Sequence, residues 1–314
     1  MALTTVDQTG GVTARSLTES LTSGKSDVKG RVLEAILLGA LLCSLGVLLV
    51  LVIDLLKRSW GIWTERPLDF LTSGTNISNA AEAGVWQGIK GTIMLCVVVA
   101  IVAIPLGTAC AVYLEEYAGR SRFARWTRIN VRNLAGVPSI VYGILGLAIF
   151  VKAMDSITQG RTVFAGGLAL SALVLPIVVI TASEALRAVP RSIREGALGV
   201  GATEWETVRH HVLPAAAPGI LTGTVLALSR AAGEAAPILL VGAVTGLLRT
   251  GNQSFWEQLT GPFTAMPVVI FSYARQTGEA FREVTAAAAL VLLVVIILIN
   301  SVAIWLRNRY ERKW

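Results

Sequence analysis

The sequence predicts an all-α integral membrane protein with six transmembrane helices. Apolar residues make up 54% of the 314-residue chain and charged residues only 15%, and the mean hydropathy is +0.66. These values are too apolar for an ordinary soluble protein. A helix needs roughly 20 apolar residues to cross a bilayer core about 30 Å thick, and six segments meet this requirement. The sequence lacks the alternating pattern that is typical of a membrane β-barrel.

The ends of the six predicted spans are placed to within about four residues. In chain order the spans cover residues 32–56, 92–114, 134–153, 163–184, 215–243 and 286–306. Pro105 and Pro176 lie inside the second and fourth spans, where we expect kinks rather than breaks because neighbouring helices can satisfy the freed carbonyl groups. The predicted organisation is a flexible tail over 1–31, a membrane domain over 32–308 and a basic C-terminus over 309–314.

The distribution of positive charge orients these spans. With both termini in the cytoplasm, 17 of the 27 Lys and Arg residues fall on the cytoplasmic side, nine fall outside and Arg230 falls within the membrane. Such an excess is typical of cytoplasmic segments, so we expect a multi-pass protein of the bacterial cell membrane with both ends inside. The net charge of +7 is spread along membrane-flanking segments, which favours contact with anionic lipid and not with nucleic acid.

Two apparent ligand motifs fail on inspection. Gly24-Lys25-Ser26 resembles the end of a phosphate-binding loop, but the first glycine of that motif would fall on Glu19. His210 and His211 are adjacent, so on a helix they would point about 100° apart, and no Cys or Asp cluster joins them. The sequence therefore predicts no metal, no cofactor and no enzymatic activity in this chain.

Arg230 and Glu234 are the two charges in the otherwise uncharged fifth span. On insertion scales each charge at mid-depth costs about 2.5–3.5 kcal/mol, which points to a functional role. At a spacing of four residues the side chains share a helix face and can pair, and the planar guanidinium suits an oxyanion. One interpretation is that the pair lines a substrate path, with Arg230 meeting the anion and Glu234 screening it. The other is that the pair only holds helices together.

A polar segment over about 185–214 separates the fourth and fifth spans. We expect Gly201 to make a sharp turn with positive φ between two short helices, and Leu213 and Pro214 to begin the fifth span. A helix-glycine-helix unit of this kind suits a rigid handle for a protein partner. The alternative is a solvated interfacial helix with Trp205 on its apolar side.

The polar segment over about 185–214 resembles the loop shared by the membrane subunits of ABC importers, and we call it the coupling segment for the role that this resemblance implies. That loop reads Glu-Ala-Ala, three residues, Gly, nine residues, Ile, one residue, Leu-Pro. The matching positions of this chain are Glu195, Ala197, Gly201, Leu213 and Pro214. Two positions depart from the pattern, since Gly196 stands for Ala and His211 stands for Ile.

The resemblance extends over roughly residues 32–308, which look like the PstA-type permease subunits of phosphate-specific ABC importers. Its most specific parts are Tyr113-Leu114-Glu115-Glu116-Tyr117, Gly136-Val137-Pro138-Ser139 and the stretch from Arg230 to Pro237. It implies a fold of the type I ABC importer permease type, with a cytoplasmic coupling helix between helices 4 and 5. It also implies a phosphate path that Arg230 and Glu234 face.

The same resemblance implies several partners. These are a second homologous permease subunit, a dimer of ATPase subunits that binds ATP and Mg, and an extracytoplasmic phosphate-binding protein. Glu195, Ala197 and Gly201 would lie in the helix that docks on the ATPase, with Glu195 paired to a basic residue nearby or on that partner. The chain itself would form half of the translocation path and hydrolyse no ATP.

Two other functions stay open on the residues alone. Arg230 would serve another oxyanion such as phosphonate, sulfate or molybdate equally well by charge, and the coupling segment would also suit a non-transporting membrane scaffold or sensor. The outer segments 57–90 and 244–285 have no assigned role. Within the latter, Met266–Phe271 is apolar but too short to span a bilayer, so it is either partly embedded or a contact for the binding protein.

Overall fold

A computed structural model describes residues 28–119, 121–245 and 255–310, and the regular structure in these ranges is helical. Most of the predicted tail 1–31 and of the predicted basic C-terminus 309–314 lies outside the described residues. Gly24-Lys25-Ser26 lies outside them as well.

Fifteen helices are found in the described residues. In chain order they are α1 (Val28–Arg58), α2 (Trp60–Glu65), α3 (Pro67–Thr72), α4 (Trp86–Val112), α5 (Arg122–Ala135), α6 (Ser139–Gly146), α7 (Asp155–Thr158), α8 (Val163–Ala188), α9 (Arg191–Gly199), α10 (Glu204–Thr207), α11 (Leu213–Gly233), α12 (Ala236–Val241), α13 (Phe255–Leu259), α14 (Met266–Ala274) and α15 (Glu279–Tyr310). Three of them run on as π-helix, over Tyr113–Tyr117 after α4, Leu147–Ala153 after α6 and Val208–Val212 after α10.

Within the described ranges, five helical runs are long and apolar enough to cross a membrane. They contain α1, α4, α8, α11 and α15, and the bent pair of α5 and α6 makes a sixth if it is counted as one span. This agrees with the predicted six-span, all-α architecture. The helices α4 and α8 continue through Pro105 and Pro176, as expected. The chain divides into two compact units, Met1–Asp54 and Leu55–Trp314.

The third predicted span differs from the structure. Residues 134–153 do not form one helix, because α5 ends at Ala135 and the pair of helices bends by 102° before α6 begins at Ser139. Pro138 explains the break, since its ring disfavours a helical backbone at the preceding residue. The apolar helix that remains, over 139–153, is about 22 Å long at 1.5 Å per residue.

The helix α5 is amphipathic. The rings of Phe123 and Trp126 are exposed on one flank and stack with their centroids 6.3 Å apart. Arg125 and Arg132 are exposed on the other flank. Aromatic rings beside cationic side chains are typical of helices at the membrane surface, which supports the expected contact with lipid headgroups.

The fifth predicted span, 215–243, is also broken. The helix α11 ends at Gly233, Glu234 has an extended backbone with ψ 123°, and α12 begins two residues later. Pro237 is the physical reason, because in a continuous helix its ring would collide with the carbonyl of Gly233, four residues before it. The break leaves Arg230 in the last turn of α11 and Glu234 just beyond it.

Helix α8 packs against both α4 and α11 and forms the centre of the Leu55–Trp314 unit. Val99 of α4, Val174 of α8 and Ala231 of α11 are buried in one apolar cluster. The approach of α11 to α8 is close at Gly223, where a Cβ atom would collide with the side chain of Thr181. Small residues of this kind let helix backbones pack closely within a membrane.

The two segments that the sequence left without a role pack against each other. Phe70 and Val85 of the first share a buried apolar cluster with Met266 and Tyr273 of the second. The Tyr273 hydroxyl donates a 2.6 Å hydrogen bond to the carbonyl of Gly84. The apolar run in α14 is therefore largely buried within the protein, and at nine residues the helix is about 14 Å long, too short to span.

Candidate functional site

Arg230 and Glu234 lie together at the end of α11. The Arg230 Nε atom is 3.3 Å from the Glu234 Oε1 atom, and the two side chains are 44% and 18% exposed. The predicted pairing is therefore present, although it spans the end of a helix and not a continuous helical face. A guanidinium with five N–H donors and one carboxylate neighbour retains donors for another ligand.

A second polar contact lies one residue before Arg230. The Ser229 hydroxyl donates to the Asn300 side-chain oxygen at 2.5 Å, and it also lies 2.7 Å from the Val225 carbonyl. Asn300 belongs to α15, so this contact joins the two helices next to the ion pair. Asn300 was not predicted as a site residue, although an amide inside a predicted span requires a hydrogen-bond partner.

The coupling segment contains the turn that the sequence predicts. Helix α9 ends at Gly199, Gly201 has φ 92°, and α10 begins at Glu204. Thr203 caps α10, because its hydroxyl accepts from the Glu206 N–H and the Glu206 carboxylate accepts from the Thr203 N–H. This reciprocal cap fixes the direction in which the chain leaves the turn.

Helix α11 begins at Leu213, the predicted start of the fifth span, but the helical run that leads into it already starts at Glu204. The π-helical segment Val208–Val212 joins α10 to α11. Pro214 gives a reason for this wider turn, since its ring would clash with the carbonyl of His210 in a regular α-helix.

The side chains of the coupling segment divide into an inner and an outer set. Ala197 is 5% exposed and packs inward. Glu195 is exposed and forms no ion pair with any described residue, so the predicted nearby basic partner is not found there. Three large apolar side chains face outward, namely Leu198, Val200 and Trp205.

The prediction that Trp205 lies on the apolar side of an interfacial helix is only partly confirmed. Val208 and Val212 are buried, as a helix with one apolar face requires, but Trp205 is 58% exposed. The tryptophan therefore extends the outer apolar surface and does not join the buried face. An exposed cluster of large apolar side chains is typical of a surface that another protein covers.

Two ion pairs join the coupling segment and α8 to the end of α4. Arg187 forms a two-bond fork with Glu115, with N–O distances of 2.8 and 2.7 Å. Arg194 forms a second fork with Glu116, at 3.1 and 2.8 Å. The hydrogen bond to Glu116 raises the pKa of the Arg194 guanidinium. Both glutamates belong to the predicted motif Tyr113–Tyr117, but their arginine partners were not predicted.

Within the described residues, no three His, Cys, Asp or Glu side chains lie together in a group that could hold a metal ion. His210 and His211 are both exposed. The groups of this chain with evident chemistry are thus an accessible Arg–Glu pair within an apolar bundle and a polar segment with an apolar outer surface. This combination suits the passage of an anion and the docking of a protein.

Known proteins resemble this chain over most of its length. The family described as "Binding-protein-dependent transport system inner membrane component" matches residues 103–314. The phosphate transport system permease protein PstA of Yersinia pestis is 33% identical over 236 residues, which cover 75% of this chain and 76% of that protein. The phosphate transport system permease protein PstA 1 of Mycobacterium tuberculosis (strain ATCC 25618 / H37Rv) is 36% identical over 226 residues, covering 71% of this chain and 70% of that protein.

Solved structures of ABC transporters share the fold at low sequence identity. A bacterial ABC transporter involved in the import of the acidic polysaccharide alginate matches with a TM-score of 0.60 at 15% identity, covering 91% of this chain and 99% of that chain. The MetNI methionine ABC transporter, in an inward-facing conformation, matches with a TM-score of 0.53 at 17% identity, covering 73% and 95%. The helical architecture, the family match and the PstA relatives agree, and this chain belongs to the family of binding-protein-dependent transport system inner membrane components.

Proposed function

We propose that this chain is the transmembrane permease subunit of an ATP-driven importer of inorganic phosphate. The observation that supports this most directly is the Arg230–Glu234 pair, a half-exposed guanidinium in the last turn of an apolar helix. The PstA proteins of Yersinia pestis and Mycobacterium tuberculosis, which resemble the chain over more than two thirds of its length, support phosphate as the substrate.

In this proposal Arg230 receives the oxyanion and Glu234 keeps the guanidinium paired when the path is empty. A charge that is already paired costs less to hold within the membrane than a bare one. When an anion approaches, the Arg230 guanidinium exchanges the Glu234 carboxylate for the anion. Because the anion must compete with this carboxylate, it binds weakly enough to be released on the other side.

The partners belong to the same proposal. A second homologous permease subunit completes the translocation path, and an extracytoplasmic binding protein delivers phosphate. A dimer of ATPase subunits docks on the outer surface of the coupling segment, where Leu198, Val200 and Trp205 are exposed. ATP and Mg bind to that ATPase, and this chain hydrolyses none itself. Both termini lie in the cytoplasm, on the side of the ATPase.

The test is uptake of radiolabelled phosphate in cells that lack this gene and carry it on a plasmid. We expect the wild-type gene to restore uptake, unlabelled phosphate to compete, and an excess of sulfate, molybdate or phosphonate not to compete. Competition by one of those anions would show that this anion, and not phosphate, is the substrate. No uptake, despite co-purification of an ATPase, would instead indicate a non-transporting scaffold or sensor.

A further inference from the structure

The segment Tyr113–Tyr117 at the end of α4 has a structure that the proposed function does not use. It is π-helical, and its two successive carboxylates, Glu115 and Glu116, are each only 9% exposed. Two adjacent buried carboxylates repel each other and lose hydration, so each needs its own cationic partner. Single turns of π-helix inside longer helices often occur at functional positions.

Glu115 connects α4 to two other helices. Arg187, in the last turn of α8, donates to both of its carboxylate oxygens. Arg128 of α5 lies 3.5 Å from the same carboxylate and donates to the carbonyl of Leu114 next to it. Because Arg187 and Arg128 both contact this carboxylate, Glu115 joins the end of α4 to the end of α8 and to the middle of α5.

Glu116 connects α4 to the coupling segment. Arg194, in α9, donates to both Glu116 oxygens. The same guanidinium donates to the carbonyls of Val189 and Leu186, at 2.8 and 2.9 Å. Its planar fork thus joins three parts of the chain at one point, namely the end of α4, the end of α8 and the helix α9. A lysine could not reproduce this geometry, because its ammonium is a point donor.

The neighbouring charges of α9 behave differently. Arg191 and Glu195 are exposed, and neither forms an ion pair with a described residue. Arg194 is therefore the charged attachment of α9 to the membrane helices within the described part of the chain. Leu198 of α9 and Val200 in the following turn are both exposed to the outside.

Two buried apolar clusters pack α4, α8 and α11 against one another between this attachment and Arg230. Ala111 of α4, Leu186 of α8 and Ile220 of α11 are buried in one apolar cluster. Further along the same helices, Val99 and Ala231 share the central cluster, and Ala231 follows Arg230 directly. Packed helices with few voids transmit displacement as rigid elements.

We propose that the two forks, Glu116–Arg194 and Glu115–Arg187, are the mechanical link that carries a displacement of α9 into α4 and α8. Glu116 and Arg194 are positioning residues in this link, since they act through α4 and α9 and not at the Arg230 site. The proposal rests on the proposed function, in which an ATPase moves α9. Without the forks the ATPase still docks and hydrolyses ATP, but α4 and the path beside it no longer follow.

The test uses the purified complex with its ATPase and permease partners, reconstituted in vesicles with the binding protein and phosphate. The measured quantity is the number of ATP molecules hydrolysed per phosphate imported. We expect this ratio to rise about tenfold in Glu116→Gln and Arg194→Lys, with subunit composition and ATP hydrolysis close to wild type. Arg191→Lys, the same exchange three residues away in the same helix, is the matched control and leaves the ratio unchanged.

Three outcomes would overturn the proposal. In the first, Glu116→Gln and Arg194→Lys have the same ratio as Arg191→Lys. In the second, uptake and ATP hydrolysis of the two variants fall in parallel. In the third, both variants fail to assemble, and the forks then have a purely structural role. The proposed function is judged separately on the wild-type complex. If wild type imports no phosphate, that function fails, whereas normal wild-type import with an unchanged ratio in the variants rejects only the link.

Discussion

The guanidinium of Arg230 lies 3.3 Å from the carboxylate of Glu234, although the helix that carries Arg230 ends at Gly233. Because Glu234 has an extended backbone, the pair lies across the end of the helix and not on one rigid helical face. A carboxylate at such a break can turn away from its partner with less cost than one inside a helix. The pair therefore suits an exchange in which a passing oxyanion takes the place of Glu234 on the guanidinium.

Removal of the Arg230 charge tests this exchange. In Arg230→Gln we expect phosphate uptake to fall at least tenfold, which corresponds to about 1.4 kcal/mol of lost transition-state stabilisation. Assembly with the ATPase stays normal, since the side chain is 44% exposed and has a single carboxylate partner. Lys152→Gln, which removes an exposed cation from another apolar helix, is the control and keeps wild-type uptake. Full uptake in Arg230→Gln would assign the pair a structural role.

The turn between α9 and α10 gives a second prediction. Gly201 has φ 92°, a backbone conformation that disfavours any side chain and especially a β-branched one. In Gly201→Val we expect a strain of about 1–3 kcal/mol, a displaced α9 and a loss of ATP-coupled uptake. Uptake per copy of assembled complex is the measurement.

A glycine in the preceding helix, α9, supplies the control for that experiment. Gly196 has open space around its Cα atom and an ordinary helical backbone. Gly196→Ala should keep full uptake and stabilise α9 by about 0.5–1 kcal/mol, because alanine loses less conformational freedom in a helix. A Gly201→Val protein with uptake equal to that of Gly196→Ala would refute the requirement for positive φ.

The outer surface of the coupling segment gives a third prediction. Val200 is 86% exposed, so a polar replacement leaves the fold intact. In Val200→Asp we expect the amount of co-purified ATPase to fall severalfold, because a charge at the centre of an apolar docking surface must be desolvated. Ile157→Asp changes an exposed apolar residue of α7 in the same way and should leave ATPase binding unchanged. An unaltered yield of ATPase with Val200→Asp would place the docking surface elsewhere.

The sequence predicted much of this architecture because its signals are local. Apolar length predicted the spans, and a glycine between two short helical stretches predicted the turn at Gly201. The helices of the second and sixth spans begin at Trp86 and Glu279, earlier than the predicted 92 and 286. Prolines account for the two predicted spans that are broken. The third span breaks before Pro138 and the fifth breaks before Pro237, whereas Pro105 and Pro176 are accommodated inside α4 and α8. Whether a helix continues past a proline depends on neighbouring helices, which a single sequence does not show.

Contacts between distant parts of the chain were not predictable in the same way. Glu115 and Arg187 are 72 residues apart in sequence, and Glu116 and Arg194 are 78 residues apart. Periodicity places each of these residues on a helix. It does not show which guanidinium lies beside which carboxylate. The motif that contains the glutamates was visible from resemblance, while their partners required the fold.

The packing of α11 on α8 gives the last prediction. A Cβ atom at Gly223 would collide with both the Oγ1 and Cβ atoms of Thr181, so Gly223→Ala forces the two helices apart. We expect a destabilisation of about 1–3 kcal/mol, measured as a lower thermal midpoint in detergent, because a tight interface has no room for an added methyl group. Gly199→Ala, at a glycine with open space around it, should not lower the midpoint. In the double variant Gly223→Ala, Thr181→Gly the collision is relieved, so its midpoint should exceed the value expected if the two single effects simply added. Additive effects would show that the helices already have space to adjust, and Gly223 would then have no part in setting their distance.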